Sequence, residues 1–146
     1  MPSSTVLAEP QQKGDFVDAI PDTHRDLLDA DVAALSTIGD DGFPQVTMVW
    51  FLLDDEKIKL SLNSARTKTK NLRKRQECAL LVVDLENPYR YLEIRARARV
   101  DPDDDYAFAD AVGRKYGTDL RTRDQPGEGR VVVTLDPVRV WAVKLR

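Results

Sequence analysis

Cysteine and histidine are nearly absent from this chain, with one of each in 146 residues. A lone Cys78 excludes an intrachain disulfide and a cysteine-built metal site. With a single histidine as well, the usual zinc ligand sets are excluded, and no metal is expected. His24 lies between Asp22 and Asp26 and reads as a surface residue. Long apolar runs are missing too. None approaches the roughly 20 residues of a membrane-crossing helix, and the N-terminal stretch has no basic region followed by an apolar one. The expectation is a cytoplasmic protein with no membrane partner. G-x-S-x-G, the P-loop and G-x-G-x-x-G are all absent, so a hydrolase triad, a triphosphate site and a Rossmann-type dinucleotide site lack support.

What remains is an ordinary globular composition, 42% hydrophobic and 32% charged, in a length that suits one core. The net charge of -3 conceals a segregation. Residues 1–65 carry 4 Lys/Arg against 12 Asp/Glu, residues 66–99 carry 10 against 4, and residues 100–146 carry 8 against 9. An anionic ligand is therefore to be sought in the middle third.

Residues 1–20 read as a mobile or loosely docked arm, and 21–146 as a single domain. A short helix is expected over about 22–30, capped by Asp22 or Thr23, with Leu27 and Leu28 inward. Strands are expected at 32–38, 45–53, 57–63, 78–84, 89–100, 131–135 and 138–144, the last two split by Asp136-Pro137. Gly39-Asp40-Asp41-Gly42 suits a hairpin turn. Residues 64–77 read as a loop leading into a short exposed helix, with six Lys/Arg between 66 and 75. A second helix is expected from the Asp101–Asp105 acidic start to Tyr116, with Gly117 as its stop. The pattern is mainly β with short helices. Its strands are antiparallel and inclined to close on themselves.

Four constellations could carry chemistry. Arg66-Thr67-Lys68-Thr69-Lys70-Asn71 places charge-assisted donors at a strand-to-helix junction, which suits a phosphate. It is equally a solvated basic helix. Nucleic-acid contact is a further reading, but few aromatics accompany the charge and the chain is acidic overall, so no nucleic-acid partner is expected. Gln45, Thr47, Val49, Trp50 and Phe51 could seat a flat heteroaromatic ring, or simply form a half-buried strand whose Trp50 fills the core. Ser61 and Asn63 end an alternating strand beside the basic loop. Tyr89-Arg90-Tyr91 could stack on a ring or bind acids, or serve cross-strand packing.

In order, these segments are LSTIGDDGFPQVTMVWF (35–51), IKLSLNSARTKTKNLRKRQECALLVVD (58–84), NPYRYLEIRARARV (87–100) and RKYG (114–117). Together they resemble the pyridoxamine 5′-phosphate oxidase-like split β-barrel superfamily, and within it the deazaflavin (F420)-dependent reductase branch. The resemblance implies a six-stranded antiparallel split barrel of the FMN-binding type. It implies a homodimer with cofactor sites at the interface, and hydride transfer between F420 and an electron-poor small-molecule substrate. Carried over by position, Gln45 to Trp50 would line the deazaflavin ring, with the backbone of Thr47 and Val49 at its pyrimidine edge. Ser61 and Asn63 would border the ribityl chain, Arg66 and Lys68 would bind the phosphate, and Asn71 would hold the loop. Tyr89, Arg90 and Tyr91 would come from the partner. The cofactor's acidic oligoglutamate tail could be drawn to Lys70 or Arg73. FMN in an oxidase-like protein, or a noncatalytic F420 carrier, is the alternative. The C-terminal VRVWAVKLR does not match the basic substrate residues of pyridoxamine phosphate oxidases. No catalytic side chain is singled out.

Overall fold

The computed structural model describes residues 3–6 and 15–145. Eight strands pair antiparallel throughout: β1 (Ser3–Val6), β2 (Ala33–Ile38), β3 (Pro44–Val49), β4 (Leu52–Asp54), β5 (Lys57–Asn63), β6 (Glu77–Asp84), β7 (Asn87–Pro102) and β8 (Arg130–Lys144). The helices are α1 (Asp15–Ala19), α2 (Thr67–Lys74) and α3 (Ala107–Tyr116). Two 3-10 segments, Asp22–Asp29 and Leu120–Arg123, complete the elements.

The sheet runs β3-β2-β6-β7-β8-β5-β4, with β1 added to β8. This is the split-barrel topology expected, but with more than six strands and without a closing ladder. The ends of the path, β3 and β4, are consecutive in the chain and separated only by Trp50 and Phe51. Alternation does the sorting of faces. In β5, Ile58, Leu60 and Leu62 point inward; in β7, Leu92, Ile94, Ala96 and Ala98 do so. They meet Val131, Val133, Leu135 and Val140 of β8 in one core.

Several expectations change. The single strand at 45–53 is broken at Trp50-Phe51 because side chains from α3 take over the backbone there. The Tyr116 hydroxyl accepts from the Phe51 N–H at 3.1 Å, and Lys115 Nζ donates to the Phe51 carbonyl at 2.8 Å and to the Ala30 carbonyl at 3.0 Å. With those groups satisfied by side chains, a continued ladder is not required. Conversely, 131–135 and 138–144 form one strand. Arg95 pairs with Arg139 but Ala96 pairs with Pro137, so the extra residue Val138 makes a bulge that accommodates the proline.

Part of the 1–20 stretch belongs to the folded body. Ser3–Val6 pairs with Trp141–Lys144, and Phe16 and Ile20 are buried in the main core. Positions 1–2 and 7–14 of the expected arm lie outside the described residues. The helix expected at 22–30 is a 3-10 segment following Pro21, without a side-chain cap from Asp22 or Thr23. His24 is buried rather than superficial: Nε2 donates to the Val143 carbonyl at 2.8 Å, and Nδ1 lies 2.8 Å from Thr23 Oγ1. The basic helix is not simply solvated either, since α2 turns Thr69, Asn71 and Leu72 into the protein.

α3 ends as expected at Gly117, whose φ of 67° lies in the left-handed region. Its acidic start resolves to two residues: Asp105 accepts from the Ala107 amide at 3.1 Å, and Asp103 does more. Asp103 is buried and accepts from the Phe108 and Ala109 amides at 3.1 and 2.9 Å. Val112 and Ala109 pack with Leu120 in a small second cluster that includes Trp50 and Tyr116. α3 thus covers the seam where β3 ends and β4 begins.

Candidate functional site

No ladder joins β3 to β5 among the described residues. A groove of about 280 Å³ opens there. Met48, Val49 and Trp50 supply one part of its lining, and Ser61, Leu62 and Asn63 at the end of β5 another. Val112 and Leu120 add apolar wall from the α3 cluster. Arg66 and Lys68, at the start of α2, and Arg123 and Arg130 supply the charge. A side cavity of about 270 Å³ shares Asn63, Arg66 and Arg123 with the groove and is completed by Ala65, Gln125 and Glu128.

Lys68 and Arg66 enter because β5 ends at Asn63 and the chain turns directly into α2. Asn63 makes that turn: its Oδ1 accepts from the Ala65 N–H at 2.8 Å, and its carbonyl accepts from Thr69 Oγ1 at 2.8 Å. Lys68 Nζ donates to Thr47 Oγ1 of β3 at 3.1 Å, spanning the gap. Neither Arg66 nor Lys68 has a carboxylate within ion-pair distance among the described residues. Burial, reinforced by the Arg66 charge, holds the Lys68 ammonium below its ordinary pKa. A desolvated cation beside a like charge is a site that an anion would stabilise.

Asn71 acts behind the site. Its Nδ2 donates to buried Thr37 Oγ1 at 3.0 Å, and Thr37 donates to Gln45 Oε1 at 3.4 Å. This chain ties α2 to β2 and β3 and orients Gln45 outside the groove lining. Of the residues singled out by sequence, Val49, Trp50, Ser61, Asn63, Arg66 and Lys68 line the groove together, with Thr47 touching Lys68. Tyr89, Arg90 and Tyr91 do not line it within one chain. They start β7, where Arg90 pairs with Asp26 and Asp84 and donates to the Thr23 carbonyl. Those contacts hold its guanidinium above its ordinary pKa, the Asp26 hydrogen bond leading.

Arg123, Asp124 and Arg130 are the residues that sequence reading missed. Arg130 forms a two-pronged pair with Asp124 at 3.1 and 3.0 Å, both side chains buried. Tyr106 donates to Asp124 at 2.8 Å, and Asn63 Nδ2 donates to Asp124 at 2.9 Å and to Glu128 at 2.8 Å. Burial pushes the Asp124 carboxyl up, but Arg130, Tyr106 and Asn63 outweigh it and hold it below the carboxylate range. Arg130 Nη1 also reaches the Ser61 carbonyl at 3.3 Å. The side-chain polar atoms of Asn63 are therefore committed, Nδ2 to the 118–129 loop and Oδ1 to the turn into α2, although the residue lines the groove. Trp50 stacks on Tyr116 with centroids 4.2 Å apart and planes 4° from parallel, and the Arg123 guanidinium lies 4.8 Å from the Trp50 ring. The only sequence signal for this network was the pair of arginines flanking the Pro126-Gly127 turn.

A groove with an apolar wall and two cations at one end, set in a split barrel, has the shape and charge to take a flat ligand with an anionic end. The chain belongs to the pyridoxamine 5′-phosphate oxidase family, whose model matches residues 20–144. Among solved structures it is similar to an F420 reductase, with 30% identity and a TM-score of 0.72 over 83% of this chain and 98% of the other. It is also similar in fold to a conserved hypothetical protein from Mycobacterium tuberculosis, with 23% identity and a TM-score of 0.67 over 83% and 82% of the two chains. The heme storage protein HutZ from Vibrio cholerae shares the fold at 15% identity, with a TM-score of 0.63 over 77% and 86%. No curated protein sequence matches the chain.

The remaining expectations about chemistry concern residues away from the groove. Burial, with Glu77 adding to it, pushes the Cys78 thiol up to about 12, so it is an inert core thiol at neutral pH. No cluster of metal-ligating side chains occurs among the described residues, and no described helix is long and apolar enough to cross a membrane.

Proposed function

We propose that this protein is an oxidoreductase that binds the deazaflavin F420 in the groove, with the phosphate of the cofactor held by Arg66 and Lys68. The observation that carries this reading is the pair of cations at the end of an apolar-walled groove, neither of them ion-paired among the described residues. Family membership and the likeness to an F420 reductase support it. The residues fit the group. Val49 and the edge of Trp50 border the place for a planar ring, Leu62, Val112 and Leu120 exclude water beside it, and Thr47 adds a hydroxyl at the cationic end. The Asn71–Thr37–Gln45 chain fixes α2 before any ligand arrives, so little ordering remains to be done on binding. When bound, such a cofactor supplies hydride transfer to an electron-poor organic substrate. The protein's own part is orientation and shielding of the ring.

The reading includes a homodimer. Phe43, Val46 and Met48 lie on the β2–β3 hairpin and edge strand β3, 73%, 63% and 60% exposed. A second copy covering this row would bury apolar surface next to the groove. Tyr89, Arg90 and Tyr91 of that copy are the residues proposed to wall the ring, Tyr89 being the one left exposed in this chain.

Titration of the apoprotein with F420 and with FMN, followed by fluorescence quenching, tests the cofactor. Saturable F420 binding is expected. Tight FMN binding with no response to F420 would replace this reading with an FMN-dependent oxidase on the same phosphate site. Reduced F420 is then offered with enones, nitro compounds, quinones and tetrapyrroles. Oxidation above the blank is expected for at least one class; none would make the protein a noncatalytic carrier.

A further inference from the structure

Arg123 is set apart from its neighbours. Arg121 pairs with Asp110 and Asp119, and Arg130 pairs with Asp124. Arg123, between them, has no carboxylate within ion-pair distance among the described residues, and its guanidinium lies over Trp50 instead. It lines both the groove and the side cavity, as does Arg66. The acids nearest it in sequence are engaged by other groups, Asp119 by Arg121 and Glu128 through one carboxylate oxygen. Asp124 is held by Arg130, Tyr106 and Asn63. Glu128 accepts from the Gln125 amide at 2.9 Å and from Asn63 at 2.8 Å. The Gln125 bond, then Asn63, keeps that carboxyl below its ordinary range and charged. Arg66, Arg123 and Glu128 thus leave the side cavity with one net positive charge.

We infer that the side cavity is a second anion site, adjoining the phosphate end of the groove, in which Arg123 takes a carboxylate and Arg66, shared by both cavities, adds its charge. The loop carrying Arg123 is locked on both flanks, by the Asp119 cap onto the Arg121 amide and by the Asn63–Asp124–Arg130 network. Arg123 is therefore presented at low ordering cost, and a guanidinium offers a carboxylate two parallel donors. The carboxylate belongs either to a substrate lying beside the ring or to the acidic tail of the cofactor. The inference rests on the proposed function only for that choice of source.

The test needs no cofactor. The chain has two tryptophans, and Trp141→Phe leaves Trp50 as the single reporter beneath Arg123. Glutarate titrated at constant ionic strength should change Trp50 emission saturably, and neutral glutaramide should not. Arg123→Gln should weaken glutarate binding about tenfold or more, and Arg123→Lys should retain part of it, as loss of a charge-assisted pair requires. No saturable response to glutarate, or a response unchanged in Arg123→Gln, overturns the site. Calorimetric titration of glutarate into protein saturated with F420 or with FMN then assigns the source. Binding lost only with F420 identifies the tail, and binding retained with both identifies a substrate carboxylate. If F420 fails to bind while glutarate still binds through Arg123, the cofactor reading falls and the anion site stands.

Discussion

Residues 66–75 and residues 90–99 are both rich in positive charge, yet the fold treats them in opposite ways. Every arginine of the second region has an acid: Arg90 with Asp26 and Asp84, Arg95 with Glu93, Arg97 with Glu77, Arg99 with Asp101. In the first region Lys74 pairs with Asp40 and Arg75 donates to the Gly39 carbonyl, while Arg66 and Lys68 turn into the groove without an ion-paired acid among the described residues. A run of charge in sequence says little about ligand binding. What matters is whether the fold brings it counter-charge. For the β7 arginines it does so three ways, through neighbours two positions along the strand, through Glu77 across the ladder and through Asp26 and Asp84, but among the described residues no acid reaches ion-pair distance of Arg66 or Lys68.

The sharpest contrast is with Arg130, which lines the same groove as Lys68 but is neutralised in the interior. Asp124→Ala would strand a buried guanidinium and release the loop held through Asn63. Breaking a buried pair by removing one partner costs about 3–5 kcal/mol. Chemical denaturation should show that loss, and a change below about 1 kcal/mol would mean the pair is solvated like those of β7.

Lys68→Glu probes the unneutralised side. Replacing a charge-assisted donor with a carboxylate should cost roughly 2–3 kcal/mol of F420 affinity, or 30- to 150-fold in Kd, with the fold intact. An unchanged Kd removes Lys68 from the phosphate site. The same residue makes a pH prediction. Its folded pKa is held below the ordinary 10.5, by burial first and Arg66 second. The folded apoprotein therefore releases this proton before the unfolded chain does, and stability rises with pH between the lowered value and 10.5. Melting curves across the alkaline range should show that rise relative to Lys68→Met. Inorganic phosphate, which stabilises the ammonium form, should flatten it. Parallel curves for the two proteins would show that Lys68 is not held desolvated.

Most of the strands were legible because their alternation is strict: β5 begins and ends where Lys57 to Asn63 alternate, and β7 reads directly from Leu92 to Val100. The cationic end of the groove was legible because Arg66 and Lys68 follow that strand without an intervening acid. What could not be read depended on contacts from distant parts of the chain. Nothing local to Trp50-Phe51 ends a strand; Lys115 and Tyr116, some 65 positions away, do so. The Pro137 break was misleading because a bulge opposite Ala96 absorbs it. His24 looked superficial because its partner, the Val143 carbonyl, lies 119 positions away. Arg123 and Arg130 resembled the surface arginines around them until the loop network distinguished them.

Tyr116→Phe tests whether the seam beside the groove is held by that distant hydroxyl. The hydroxyl accepts from the Phe51 amide and lies 2.7 Å from the Asp31 carbonyl. Its removal should cost about 1–2 kcal/mol, with the ring stack on Trp50 retained. Near-ultraviolet circular dichroism should keep its aromatic signal while the denaturation midpoint falls. Loss of that signal would place the ring, and not the hydroxyl, in control of the seam.

The smallest effect belongs to the β7 arginines, and it is what makes the contrast meaningful. Arg97 and its partner Glu77 are each more than half exposed, 3.5 Å apart across β6 and β7. An exposed pair in high dielectric contributes about 0–1 kcal/mol, and salt screens it. Arg97→Ala should therefore shift stability by less than about 1 kcal/mol, less still in high salt, and leave F420 and glutarate binding unchanged. Arg97 removes the same formal charge as Lys68→Met. If both substitutions weakened the cofactor equally, the attraction would be a property of net charge, and the groove cations would have no special role. If only Lys68 matters, the missing counter-ion is the determining feature.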